Sequence, residues 1–150
     1  MCEEPWVWQR EWVVPSRSGA GSPVLEELLA QLEQKNWGQH DLFGIHLATE
    51  EALVNAIRHG NGLDEQKHVR VACSLAPDLV RIEVADEGQG FDPGAIPDPT
   101  DPENLDAPTG RGIMLMRSFM TRVDYNATGN RVVMEKQRHS PSSVEQAGLS

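Results

Sequence analysis

EEALVNAIRHG, Glu50 to Gly60, is the stretch on which the fold turns. It reads as the second half of a helix that starts at Asp41, with Phe43, Leu47, Val54 and Ile57 on one face and Gly60 placed to close it in a left-handed cap. Beside that apolar stripe stand two adjacent carboxylates and, a turn later, an amide. Each helical residue advances about 100°, so Glu51 and Asn55 lie about 40° apart around the axis and about 6 Å along it. Glu50 and Asn55 diverge by about 140°, so if an acid and the amide act together, the acid is Glu51.

The segments around this helix alternate in type. Trp6 to Val14 is aromatic and β-branched, which favours a strand, and PSRSGAGSP breaks it. Leu25, Leu28, Leu29 and Leu32 recur at helical spacing, which predicts an amphipathic helix over Val24 to Asn36. His68 to Leu75 and Leu79 to Ala85 alternate at period two around Ala-Pro-Asp, a hairpin pattern. Gly110 to Met120 reads as a glycine-led helix, and Arg122 to Ala127 with Arg131 to Lys136 as a final hairpin around Thr-Gly-Asn. The order β-α-α-ββ-loop-α-ββ predicts an α/β (α+β) two-layer sandwich: a mixed, mostly antiparallel sheet with helices on one face. At 150 residues the chain reads as one domain over 1–138, with 139–150 as a disordered polar tail.

Three constellations carry chemistry. A carboxylate and an amide oxygen one turn apart, as at Glu51 and Asn55, can hold a hydrated Mg²⁺ and orient a water, although the same spacing serves a solvated surface equally. In ADEGQGF, Ala85 to Phe91, Gly88 and Gly90 let backbone approach a ligand, and Asp86 at a strand end can accept a hydrogen bond from an amino group. That combination suits an adenine ring. In TGRGIMLM, Thr109 to Met116, Gly110 and Gly112 open a helix whose N-terminal N–H groups can bind phosphate oxygens. Neither glycine pair completes a dinucleotide fingerprint, because Pro93 and Leu115 occupy the third glycine positions, and no GK[ST] loop is present. The stretch between the pairs is rich in proline and aspartate and contains no Lys or Arg, and residues 92–109 read as a lid over a ligand.

Composition narrows the function classes. A formal net charge of −10 argues against a surface that neutralises phosphate backbones or anionic lipid, so neither nucleic acid nor membrane is an expected partner. Cys2 and Cys73 have no metal-ligand spacing. No run approaches the length of a membrane span, and the acidic, aromatic start is unlike a signal peptide, so the expected location is cytoplasmic.

In this order the three constellations resemble those of the gyrase, histidine kinase and heat-shock chaperone (GHKL) ATPase superfamily. Glu51-x-x-x-Asn55 is similar to its N-box, Asp86-x-Gly88-x-Gly90 to its first glycine box, and Gly110-x-Gly112 to its second, within a resemblance that spans about Trp6 to Lys136. EALVNAIRHGN, DEGQGFDP and GRGIMLMRSFM in so short a chain resemble most the stand-alone anti-sigma-factor serine/threonine kinases. The resemblance implies ATP and Mg²⁺ as cofactors, with Asn55 as metal ligand and Glu51 as the catalytic group that activates an attacking hydroxyl. It implies that Asp86 reads the adenine amino group and that Gly88, Gly90, Gly110 and Gly112 shape the adenine and phosphate walls. Arg111 is a candidate phosphate contact on its position alone, and a solvated loop arginine on the same grounds. The implied partners are an anti-anti-sigma antagonist protein as substrate, a sigma factor or similar regulator, and a second copy of the chain as a homodimer. The chain departs from histidine kinases in having no dimerisation helix pair with a phosphoacceptor histidine, and from gyrase and chaperones in having none of their further domains. A non-catalytic, nucleotide-dependent protein-binding module is the alternative expectation.

Overall fold

The computed structural model describes residues 6–88 and 110–139. Its elements are β1 (Trp8–Pro15), α1 (Ser22–Gln34), α2 (Gln39–Val54), a π-helical turn (Asn55–Gly60), β2 (His68–Ala76), β3 (Leu79–Ala85), α3 (Gly110–Phe119), β4 (Arg122–Tyr125) and β5 (Arg131–Gln137). The strands form one sheet in the order β1-β2-β3-β5-β4. All four pairings are antiparallel, in line with the mostly antiparallel sheet expected, and no parallel pair occurs among the described residues.

Period-two alternation builds the inner face. Val69, Val71, Cys73 and Leu75 of β2 point inward. The register sets Cys73 opposite Ile82 and Ile82 opposite Met134, and likewise Val71, Val84 and Val132 in line across three strands. These rows pack with Val24, Leu28 and Leu32 of α1, Ile45, Ala48 and Ala52 of α2, and Ile113 and Met116 of α3 in a single cluster. Each fully buried Leu or Ile contributes roughly 1.5–3 kcal/mol over its exposed state. Burial, with Glu27 adding to it, pushes the Cys73 thiol up to about 12, so Cys73 behaves as a small core hydrophobe. On the edge strand β1, Arg10 reaches α1 and pairs with Glu27.

Three expectations change. The inward stripe of α2 is Leu42, Ile45, Ala48, Thr49, Ala52 and Leu53, while Phe43 and Val54 are exposed. Phe43 instead meets Phe119 of α3 edge to face, with centroids 5.8 Å apart. Gly44 allows this approach, since a Cβ there would lie 3.1 Å from the Phe119 side chain. Second, Gly60 is not in the left-handed region; the positive φ values after the helix belong to Gly62 and Leu63, at 62° and 59°. Third, His139, read as the start of the tail, is fixed: its N–H donates to Asp41 Oδ2 at 3.0 Å and its ring meets Oδ1. Residues 140–150 lie outside the described part.

Candidate functional site

The helix that sequence periodicity extends to Gly60 keeps α geometry only to Val54. From Asn55 it widens into a π turn, closed by Asn61 N–H donating to Ala56 O at 2.9 Å. Such single-turn widenings recur at functional sites, because they re-aim side chains without breaking the helix. Here the turn lies along a cleft of ≈ 360 Å³, mouth included, between helix layer and sheet, lined among others by Asn55, His59, Gly60, Asp86, Tyr125 and Asn130.

Asp86 follows β3 directly and is positioned from three sides. Its N–H donates to Asn130 O at 2.9 Å, and its Oδ1 accepts Gly88 N–H at 2.8 Å. Its carboxylate occupies the space that a Cβ on Gly60 would need, and a Cβ on Gly88 would overlap the Gly60 carbonyl. That is why glycine stands at both places: one carboxylate and two backbone segments converge where no side chain fits. Burial holds the Asp86 carboxyl above its usual range, opposed by the Gly88 N–H and by the positive charge of Lys67.

Asn61 ties the surroundings together. It is 3% exposed; its amide nitrogen donates to Ser16 Oγ at 2.8 Å and to His68 O at 3.0 Å, and its Oδ1 accepts Glu87 N–H at 2.7 Å. The end of the π turn, β1, β2 and the first glycine segment thus meet on one side chain. Across the cleft, Asn130 Nδ2 donates to Gly88 O at 3.3 Å, joining the β4–β5 turn to the same segment. Sequence reasoning singles out neither Asn61 nor Asn130, because their partners come from remote segments.

Asn55 is 8% exposed. Its Nδ2 is sealed from solvent without a hydrogen bond of regular geometry among the described residues. Beside it lies the hydroxyl of Tyr125, the single tyrosine of the chain. Burial pushes that phenol up to about 12, with the Asn55 amide and Arg117 opposing the rise and the Glu51 and Asp86 charges adding to it. Tyr125 is thus a cleft residue that the sequence reading missed.

Glu51 is half-buried on α2, and its carboxylate fills the space that a Cβ on Gly112, near the start of α3, would take. Glu51 also borders a second groove of ≈ 570 Å³ between α2 and the β1–α1 connection, with Gly19, Gly21 and Leu25 on the far wall. Glu50 is exposed, its carboxylate 3.9 Å from His46 Nε2. The structure therefore brings Asn55 and Asp86 to one cleft, holds Gly88 against Asp86 and Gly60, and sets Glu51 against Gly112. Gly110 and Arg111 open α3. The Arg111 side chain, Gly90 and the lid expected over 92–109 lie outside the described residues.

The donor set suits nucleotide chemistry. The Asn55 amide and the Asp86 carboxylate line the same cleft, one able to offer an oxygen to a cation and the other to accept from an amino group. Among the described residues no cluster of three or more His, Cys, Asp or Glu converges. A cation at Asn55 would therefore keep most of its water, as Mg²⁺ does. No helix among the described residues is long and apolar enough to cross a membrane.

Known proteins resemble this chain in sequence and in fold. Over 107 residues the chain is 29% identical to an anti-sigma F factor of Clostridium perfringens, covering 67% of this chain and 75% of that one. It is 27% identical over 99 residues to the serine-protein kinase RsbW of Oceanobacillus iheyensis, covering 61% and 63% of the two chains. In a solved structure of RsbU and RsbW domains from Mycobacterium tuberculosis the fold recurs with a TM-score of 0.60 at 18% identity over 89% of this chain; the match spans 32% of that longer chain. Residues 14–136 match the family described as the histidine kinase-like ATPase domain, and the chain belongs to that family.

Proposed function

We propose that this protein is an ATP- and Mg²⁺-dependent protein serine kinase of the anti-sigma type. It phosphorylates a small antagonist protein and holds a sigma factor or similar regulator, acting in the cytoplasm. The observation that carries the reading is the position of Glu51, whose carboxylate meets Gly112 beside the nucleotide cleft and also borders a separate open groove. An acid set between the start of α3 and an open groove suits transfer between a bound nucleotide and a second protein.

In this reading Asp86 accepts a hydrogen bond from the adenine amino group, and Gly88 and Gly90 line the ring. Gly110, Arg111 and Gly112 meet the phosphates at the start of α3. Asn55 would hold Mg²⁺, which when bound would neutralise phosphate charge. Glu51 takes the proton from the acceptor hydroxyl as that oxygen bonds to the transferred phosphorus, and ADP leaves.

The test is phosphate incorporation from labelled ATP into a small protein in a lysate of the source cell, with native protein and Glu51→Gln side by side. Glutamine keeps the shape and loses the base, so transfer should fall by about 10²- to 10⁴-fold while nucleotide binding persists. Native transfer rates in the variant would remove Glu51 from its role. Nucleotide and partner binding without any transfer by the native protein would make the chain a nucleotide-dependent binding module instead.

A further inference from the structure

We propose that Tyr125 is a positioning residue for the metal end of the nucleotide site: its hydroxyl takes an amide N–H of Asn55 and so turns the Asn55 oxygen toward the cleft. The inference rests on the reading above that Asn55 holds Mg²⁺. An asparagine amide has a donor end and an acceptor end of nearly equal size, and a hard cation accepts only the oxygen. With the amide turned round, its NH₂ would face the cation and repel it. What decides the orientation is the group that the other end meets.

In this fold that group is built in. Asn55 stands on the helix layer at the first residue of the π turn, and Tyr125 ends β4 on the sheet layer; both line the same cleft. The Tyr125 ring packs against the hydrophobic core, which fixes where its hydroxyl can lie. Asn55 Nδ2 is sealed from solvent and makes no hydrogen bond of regular geometry among the described residues, and the Tyr125 hydroxyl lies beside it. A phenol oxygen can accept that N–H, whereas a phenylalanine edge cannot. Outer-shell partners that orient a ligand change metal affinity by about 10- to 100-fold when removed.

The experiment titrates Mg²⁺ and reads ATP affinity by calorimetry, with affinity in EDTA as the baseline, in native protein, Tyr125→Phe, Asn55→Ala and the double variant. Tyr125→Phe keeps the ring and its packing. It should leave affinity in EDTA and the nucleotide-free melting temperature unchanged, while raising the Mg²⁺ concentration that gives half the metal effect by about 10-fold. Asn55→Ala should abolish the metal effect, and adding Tyr125→Phe to it should change nothing further. A native-like Mg²⁺ titration in Tyr125→Phe overturns this inference alone, as does an equal loss of affinity with and without the metal. A native protein whose ATP affinity ignores Mg²⁺ overturns this inference together with the metal reading on which it rests.

Discussion

Asp86 is asked for two things that pull apart. In the proposed function it accepts a hydrogen bond from an amino group, most strongly when ionised, yet its burial against Gly60 favours the protonated form and raises its pKa from the ordinary 3.8. A carboxyl whose native pKa lies above its unfolded value binds its proton more tightly in the fold. Its stabilising contribution is therefore complete below the unfolded value and is lost as pH rises through the raised native one. Once ionised, the side chain works against stability, in the manner of residues kept for a ligand rather than for the fold. Asp86→Asn removes the charge and keeps an oxygen for the Gly88 N–H. The melting temperature of the variant relative to native protein should rise as pH climbs from the ordinary carboxyl value of 3.8 through the raised native one and stay level above it. Affinity for ATP should fall by about 10-fold or more, the scale of a hydrogen bond to a charged group. A melting difference that does not vary with pH would remove the perturbed carboxyl.

Among the elements, the glycines mark where segments touch. A Cβ on Gly88 would strike the Gly60 carbonyl, a backbone atom that can move only with the π turn; one on Gly112 would strike the tip of the flexible Glu51 side chain. Gly88→Ala should thus destabilise the fold by about 1–3 kcal/mol, the scale of an overpacked contact. Gly112→Ala should change stability far less, but displace Glu51 and depress phosphotransfer. Chemical denaturation paired with the transfer assay separates the two, and equal stability losses would contradict this packing. The same contacts explain what the sequence discloses and what it hides. Strands β2 and β3 were legible because alternation at period two is local, and α1 because its leucines recur at helical spacing. The inward face of α2 was not, because apolar residues stand nearly all round that helix and two of them, Phe43 and Val54, are exposed. Gly60 looked like a cap since a glycine after a helix usually is one, whereas its reason here is Asp86, which arrives from the far end of β3. The meeting of Asn55 with Asp86 at one cleft, and of Glu51 with Gly112, joins segments that the sequence marks as motifs. Asn61, Tyr125 and Asn130 are not so marked, since each acts through a partner distant along the chain.

At the scale of the molecule, α2 carries its functional groups at one end and is anchored at the other. Asp41, in its first turn, has a side chain only 3% exposed, with Lys136 Nζ 3.8 Å from its Oδ1 and the His139 ring against the same oxygen. Lys136 also donates to Phe119 O at 2.8 Å, so one ammonium joins β5, α2 and the end of α3. Next to it, Arg138 donates to the carbonyls of Lys35 and Asn36 at 3.0 and 2.6 Å and lies 5.3 Å from the Trp37 ring centre. Because β5 lies between β3 and β4, this knot fastens an interior strand to the helix layer. Asp41→Ala would leave the Lys136 ammonium, whose side chain is 13% exposed, without its carboxylate. Breaking one side of a buried pair typically costs about 3–5 kcal/mol. At the low end that lowers Tm by about 6–12 °C in a chain of this size. Asp41→Asn, which can still accept the His139 N–H, should lose less. Asp41 and Asn55 are about 21 Å apart along the helix axis. ATP affinity measured well below the melting range should therefore stay native in both variants. An unchanged Tm in Asp41→Ala would show that water replaces the carboxylate without loss. A weakened ATP affinity in a fully folded variant would show instead that this anchor sets the position of the cleft.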